Sequence, residues 1–203
     1  MTIVSLIGST KRAKVVWLQI MKVVSKFIAI LVIASTACAS PKEKISSLMQ
    51  SYWADYSKAD FDSAAGYIYP SDLKLAKKEL LPIFLDAGDS DDPELNSISD
   101  AFFLNIPQES RPSISGKQVF VGLNNFIKSS SPEIFELVAK SKIEILEVSV
   151  SDGKSATVTY RLMVEDTPVT DIERFIKSNG KWYVRTKESP KDTATKFRKI
   201  FGL

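Results

Sequence analysis

Three observations on this 203-residue chain predict an α+β domain. Apolar residues recur at helical spacing from Ile45 to Leu80, and beyond Ile143 the period falls to two. Asp152-Gly153 and Asn179-Gly180 stand between the alternating runs, and both dipeptides favour the two-residue turns that join antiparallel strands. Together they predict N-terminal helices packed on a curved antiparallel meander.

Taken in order, Ser40-Pro41-Lys42-Glu43 has the form of a capping box with proline at the first helical position. Ile45, Leu48, Met49, Tyr52 and Tyr56 then mark the buried face of a helix over about 41–57. Asp60 caps a short second helix, which Tyr69-Pro70 ends because the residue before proline is pushed out of the α region. A third helix opens at Ser71 and is limited by Pro82. Residues 86–116, rich in Asp, Ser and Pro, read as an irregular insertion with a short apolar segment at Ile98–Ile106. Lys117–Ile127 and Pro132–Ala139 are further helices. Strands follow at about 142–150, 155–165, 168–178 and 181–187, and Ala194, Phe197, Ile200 and Phe201 mark a closing helix.

Residues 1–39 read as a leader. From Met21, the expected start of the functional chain, a basic region with Lys22 and Lys26 precedes the apolar run Phe27–Ala34 and the small residues STACAS, the three-part plan of a secretory signal peptide. The uncharged stretch Phe27–Ala39 has 13 residues, short of the roughly 20 that cross a bilayer core. Two routes fit: cleavage that leaves 21–37 or 21–39 as the discarded peptide, or lipidation of Cys38, since Ser35-Thr36-Ala37-Cys38 resembles a bacterial lipobox. The lipobox match departs at Ser35, where leucine is usual. The expected location is the envelope, as a periplasmic or a lipid-anchored protein, with residues 40–203 forming one domain.

Composition narrows the chemistry. Five of the 27 basic residues precede Cys38 and none of the 24 acidic ones does, so the body carries 22 against 24 and a net charge of −2. That balance lacks the clustered basic charge that nucleic acid requires. The chain has one cysteine and no histidine, which excludes internal disulfides, multi-cysteine metal sites and His-dependent hydrolases. No cofactor is implied. The acidic run from Asp86 to Glu94 lacks the residue order of a calcium loop and reads as a solvated loop, with no metal.

Helices followed by a meander, with Lys58-Ala59-Asp60-Phe61 opening the second helix and Asn179-Gly180-Lys181-Trp182-Tyr183-Val184 in the last hairpin, resemble small exported bacterial members of the nuclear transport factor 2-like superfamily, the cystatin-like α+β folds. The resemblance covers roughly 41–70 and 142–187. It implies a cone between helices and sheet, in a family that holds isomerases and dehydratases as well as modules without catalysis.

Within such a cone, Tyr52, Tyr56, Tyr160 and Trp182 are the ligand-binding candidates, although aromatic rings at this spacing also serve as plain core. Resemblance to ketosteroid isomerases directs attention to an aspartate base beside a tyrosine donor. Asp60 is explained as a cap and Asp55 falls off the apolar face. Asp171 and Glu173, on one strand face with Phe175, are expected to point outward, so no catalytic residue is assigned. The first expectation is a non-catalytic envelope protein that binds a small apolar ligand, a peptide or a protein partner. The alternative is an isomerase or dehydratase using carboxylate and tyrosine, and a buried carboxylate of raised pKa inside the cone would favour it.

Overall fold

The computed structural model describes residues 39–164 and 167–202; the leader up to and including Cys38, with Met21, lies outside them. Helix α1 spans Pro41–Ser57 and buries Ile45 and Met49. Helix α2, Phe61–Ala65, is capped as expected: the Asp60 carboxylate accepts the Ser63 N–H at 3.1 Å. Helix α3 runs Pro70–Gly88 with Pro70 in its first turn, where a missing N–H is harmless.

Pro82 does not limit α3, contrary to the sequence expectation. A proline inside a helix costs about 3 kcal/mol. Its neighbours Leu80, Leu81, Ile83 and Phe84 are each at most 5 % exposed, and burying such side chains contributes about 1.5–3 kcal/mol apiece. Burial outweighs the lost hydrogen bond, so the helix continues.

The segment expected to be irregular is largely helical. Gly88 lies in the last turn of α3, and α4 covers Pro93–Phe102 behind Asp92, whose carboxylate accepts the Glu94 N–H at 2.8 Å. Phe102 stacks on Phe84 with centroids 3.8 Å apart and planes 10° from parallel. Asp92 thus serves a helix end, and a 3₁₀ turn, Gln108–Ser113, leads on to α5. Helix α5, Gly116–Ser130, begins with a reciprocal capping box of Ser115 and Gln118. Helix α6 spans Pro132–Lys140 and α7 spans Pro190–Phe201.

Four strands form an open antiparallel sheet in the order β1-β2-β3-β4: Lys142–Ser151, Ser155–Val164, Thr167–Ser178 and Lys181–Val184. Asn179 and Gly180 both have positive φ, 49° and 79°, in a two-residue turn. The first connection, expected to have two residues, has three, Asp152–Lys154, because Ser151 pairs with Ser155. There the Asp152 carboxylate accepts the Lys154 and Ser155 N–H groups. β4 is shorter than expected. The Arg185 N–H still donates to the Arg174 carbonyl of β3 at 2.8 Å, and the chain then leaves the sheet where the Arg185 side chain and the Thr186 N–H bind Asp72 of α3.

Two clusters fill the interior. One lies between α1 and the inner sheet face, with Ile45, Met49, Val158, Phe175 and Val184; the other joins α3, α4, α5 and α7 around Phe84, Phe102 and Val119. The link between α2 and α3 adds a parallel bridge, Ile68 beside Val184, which fixes the helices over the β4 edge.

Candidate functional site

A cavity of about 400 Å³ opens between α1, α3, α5, the inner face of β2 and β3, and the segment after β4. Helical spacing places Tyr52, Trp53 and Tyr56 of α1 on its wall; Ala76 and Leu80 of α3 face them with Leu123 of α5. Tyr160, Asp171 and Glu173 come from the sheet, and Lys187 from the segment following β4. The Tyr52 and Tyr56 rings lie 5.8 Å apart, and Trp53 stacks on Tyr56 at 6.1 Å.

Directly opposed residues of paired strands share a sheet face. Ile145, Tyr160 and Asp171 form one such row, Val148, Val158 and Glu173 the next, and Val150, Ala156, Phe175 and Val184 a third. Because Phe175 and Tyr160 are buried, Asp171 and Glu173 point inward as well. This reverses the outward placement expected from their charge. The signal in the sequence is parity with Phe175, two and four residues along the same strand.

The two carboxylates have different partners. Asp171 accepts hydrogen bonds from the Lys187 ammonium and, at 3.3 Å, from the Tyr160 hydroxyl. Lys187 also donates to the Tyr160 hydroxyl at 3.1 Å. Partial burial pushes Asp171 upward, yet the Lys187 bond and the Ile172 N–H together hold it below the usual carboxylate range. For Lys187, burial acts to lower the pKa, but the Asp171 and Tyr160 bonds leave it raised.

Glu173 is 5 % exposed, and among the described residues it forms no ion pair. Its side chain accepts the N–H of the next residue, Arg174, at 3.3 Å. Desolvation pushes its carboxyl up to about 7, although the Lys187 charge acts in the opposite direction.

Of the sequence candidates, Tyr52, Tyr56 and Tyr160 line the cavity. Burial lifts Tyr52 well above its ordinary value and Tyr56 to about 12, so both keep their protons. The Tyr56 hydroxyl donates to Asn124 Oδ1 at 2.9 Å, and Asn124 Nδ2 donates to the Phe120 carbonyl. Trp182 is elsewhere: it is 5 % exposed in the core cluster of the inner sheet face, beside Lys177 of β3. Trp53 of α1 is the tryptophan on the cavity wall, and its Nε1 is buried with no hydrogen-bond partner among the described residues. Sequence reasoning missed Lys187, since nothing in the chain order shows which strand residues a segment after the sheet will meet.

Among the described residues no group of three or more potential metal ligands is gathered, and no helix is long and apolar enough to cross a membrane. Compared with family models, curated proteins and solved structures, the chain matches none.

Proposed function

We propose that the chain is an exported envelope protein on the nuclear transport factor 2-like plan, and that the cavity binds a small ligand with an apolar body and one polar group. A single observation carries this reading: an aromatic and aliphatic cavity of about 400 Å³ with a buried carboxyl on its wall, Glu173, that has no ion-pair partner among the described residues. Helices packed over one face of an antiparallel meander support that plan. The leader supports export, and Cys38 supports either release or a lipid anchor. Native mass spectrometry of protein purified from its own host tests the reading, with a bound small molecule as the expected result. Absence of any adduct, together with Trp53 emission unmoved by small amphiphiles, would sink it and leave a protein-partner module.

A second reading is favoured by the ionisation of Glu173. A carboxyl held at about 7 exchanges its proton near neutrality, as a general acid or base must. Tyr52 brings a protonated hydroxyl to the same wall, so the pairing of carboxylate with tyrosine needed by an isomerase or dehydratase falls on Glu173 and Tyr52. The Tyr160 hydroxyl is committed to Asp171. Glu173→Gln separates the readings, because turnover of a substrate would disappear in that variant while simple binding of a neutral guest would persist.

A further inference from the structure

We propose that the cavity takes an organic ammonium, a primary alkylammonium whose charge meets the Glu173 carboxylate while its chain lies against the aromatic and aliphatic walls. The inference rests on the binding reading above and names its ligand class.

Charge complementarity is the first argument. Each other charged group on the cavity wall has an opposite partner: Asp171 has Lys187, Arg185 has Asp72 at 2.7 Å, and Glu188 has Lys196 at 2.6 Å. Glu173 is the exception among the described residues, and the cavity is therefore one positive charge short when that carboxyl is ionised. A plain hydrocarbon guest would leave the carboxyl buried without compensation, a costly arrangement. An ammonium supplies the missing charge and three N–H donors.

The walls give the second argument. Tyr52, Trp53, Tyr56, Phe120 and Tyr160 present π-systems around the same space, and ring faces attract cations within about 6 Å of their centroids. Lys187 already sits 5.6 Å from the Tyr160 ring centroid. Leu80 and Leu123 offer apolar surface for an alkyl chain.

The groups that face Glu173 set the pH behaviour. Tyr52 approaches from α1, Tyr160 from β2, Asp171 and Arg174 from its own strand, and Lys187 from the segment after β4. The tyrosines hold their protons and Asp171 is paired with Lys187, so Glu173 is the group that titrates near neutrality. Below about pH 7 the empty site holds a proton on Glu173 that the ammonium must displace. Binding then releases that proton and weakens as pH falls, by up to about tenfold per unit.

Isothermal titration of the full chain with hexylammonium chloride, hexan-1-ol and sodium hexanoate, at about pH 8 and pH 6, tests this. Hexylammonium should bind at least about tenfold more tightly than hexan-1-ol at the higher pH, and less tightly at the lower. Repeating the lower-pH titration in buffers of different ionisation heat should show a released proton. Glu173→Gln should abolish the preference for the ammonium while hexan-1-ol binding stays within about twofold. Equal or tighter binding of hexan-1-ol or hexanoate overturns the inference while leaving the pocket intact. Failure of all three to bind overturns both. Should the variant fail to fold, the wild-type proton count decides, and a count of zero refutes the proposal.

Discussion

Asp171 and Glu173 stand two residues apart on the inner face of β3, and one Lys187 ammonium acts on both, yet their ionisation diverges. Asp171 holds Lys187 directly and stays below the usual carboxylate range despite partial burial. Glu173, one row deeper beside Val158, is pushed up to about 7. Burial separates the two first, since the Asp171 side chain is 44 % exposed and Glu173 only 5 %, and contact second, because Asp171 has a direct ion pair whereas Glu173 has none among the described residues.

Glu173 makes stability depend on pH. Its folded pKa of about 7 lies above its ordinary value of 4.5, so between those values the folded chain binds the extra proton and stability falls as pH rises. The penalty is absent below the lower value and complete above the upper, at up to about 3 kcal/mol by the usual conversion. Glu173→Gln should therefore raise the melting temperature at pH 8 and leave it nearly unchanged below pH 4.5. Equal effects at both pH values would show that folding does not raise the Glu173 pKa.

Lys187 favours the ionised form of Glu173. Lys187→Met should drive the Glu173 titration above about 7 and release Asp171 from its depressed range. Carbon-detected NMR titration of the carboxyl resonances reads both shifts. Unmoved resonances would mean that Lys187 points to solvent.

The Asp72 carboxylate, 5 % exposed, accepts Arg185 Nε at 2.7 Å and the Thr186 N–H at 3.1 Å, and so ties the segment after β4 to α3. Breaking a buried pair costs about 3–5 kcal/mol. The Arg185 side chain remains 42 % exposed, which screens the interaction and reduces the expected cost of Asp72→Ala to about 2 kcal/mol. Urea unfolding measures it, and a loss under about half a kcal/mol would show that the tie contributes little.

Gly180→Val and Gly88→Val should both destabilise, for unlike reasons. Gly180 has a φ of +79° with open space around it, so the cost is backbone strain. Gly88 has ordinary φ, but a Cβ there would stand 2.5 Å from Ser99 Oγ, which donates to the Phe84 carbonyl. Each should lower the urea midpoint clearly, and Ser99→Ala should relieve part of the Gly88→Val cost while leaving Gly180→Val untouched. Full additivity at position 88 would refute the contact.

If export follows the leader, host-expressed chain should begin at Cys38 with added acyl mass, or at Cys38 or Ser40 without it, by intact-mass measurement. Retention of residues 1–37 would refute export. In the lipid-anchored case, Cys38→Ser should move the protein to the soluble fraction.

The sequence by itself determined the elements whose causes are local. Pro41, Pro70, Pro132 and Pro190 each open a helix because the first turn has no partner for the missing N–H. Asp60 caps α2 through its neighbour Ser63, and Asn179-Gly180 turns the last hairpin through its own positive φ values. Period-two apolar residues then order the meander. Tertiary structure decided whatever depends on a distant partner. Pro82 stays within α3 because Leu80, Leu81, Ile83 and Phe84 around it are buried, and just past β4 Asp72 of α3 holds the Arg185 side chain and the Thr186 N–H. In β1 the inward residues change parity from Ile143 and Ile145 to Val148 and Val150, and a bulge absorbs the step by leaving Leu146 out of register and exposed. Glu173 follows the same rule: its strand has two faces, and pairing with Val158 over the buried core selects the one that carries its carboxyl into the cavity, against the intrinsic preference of a charge for water.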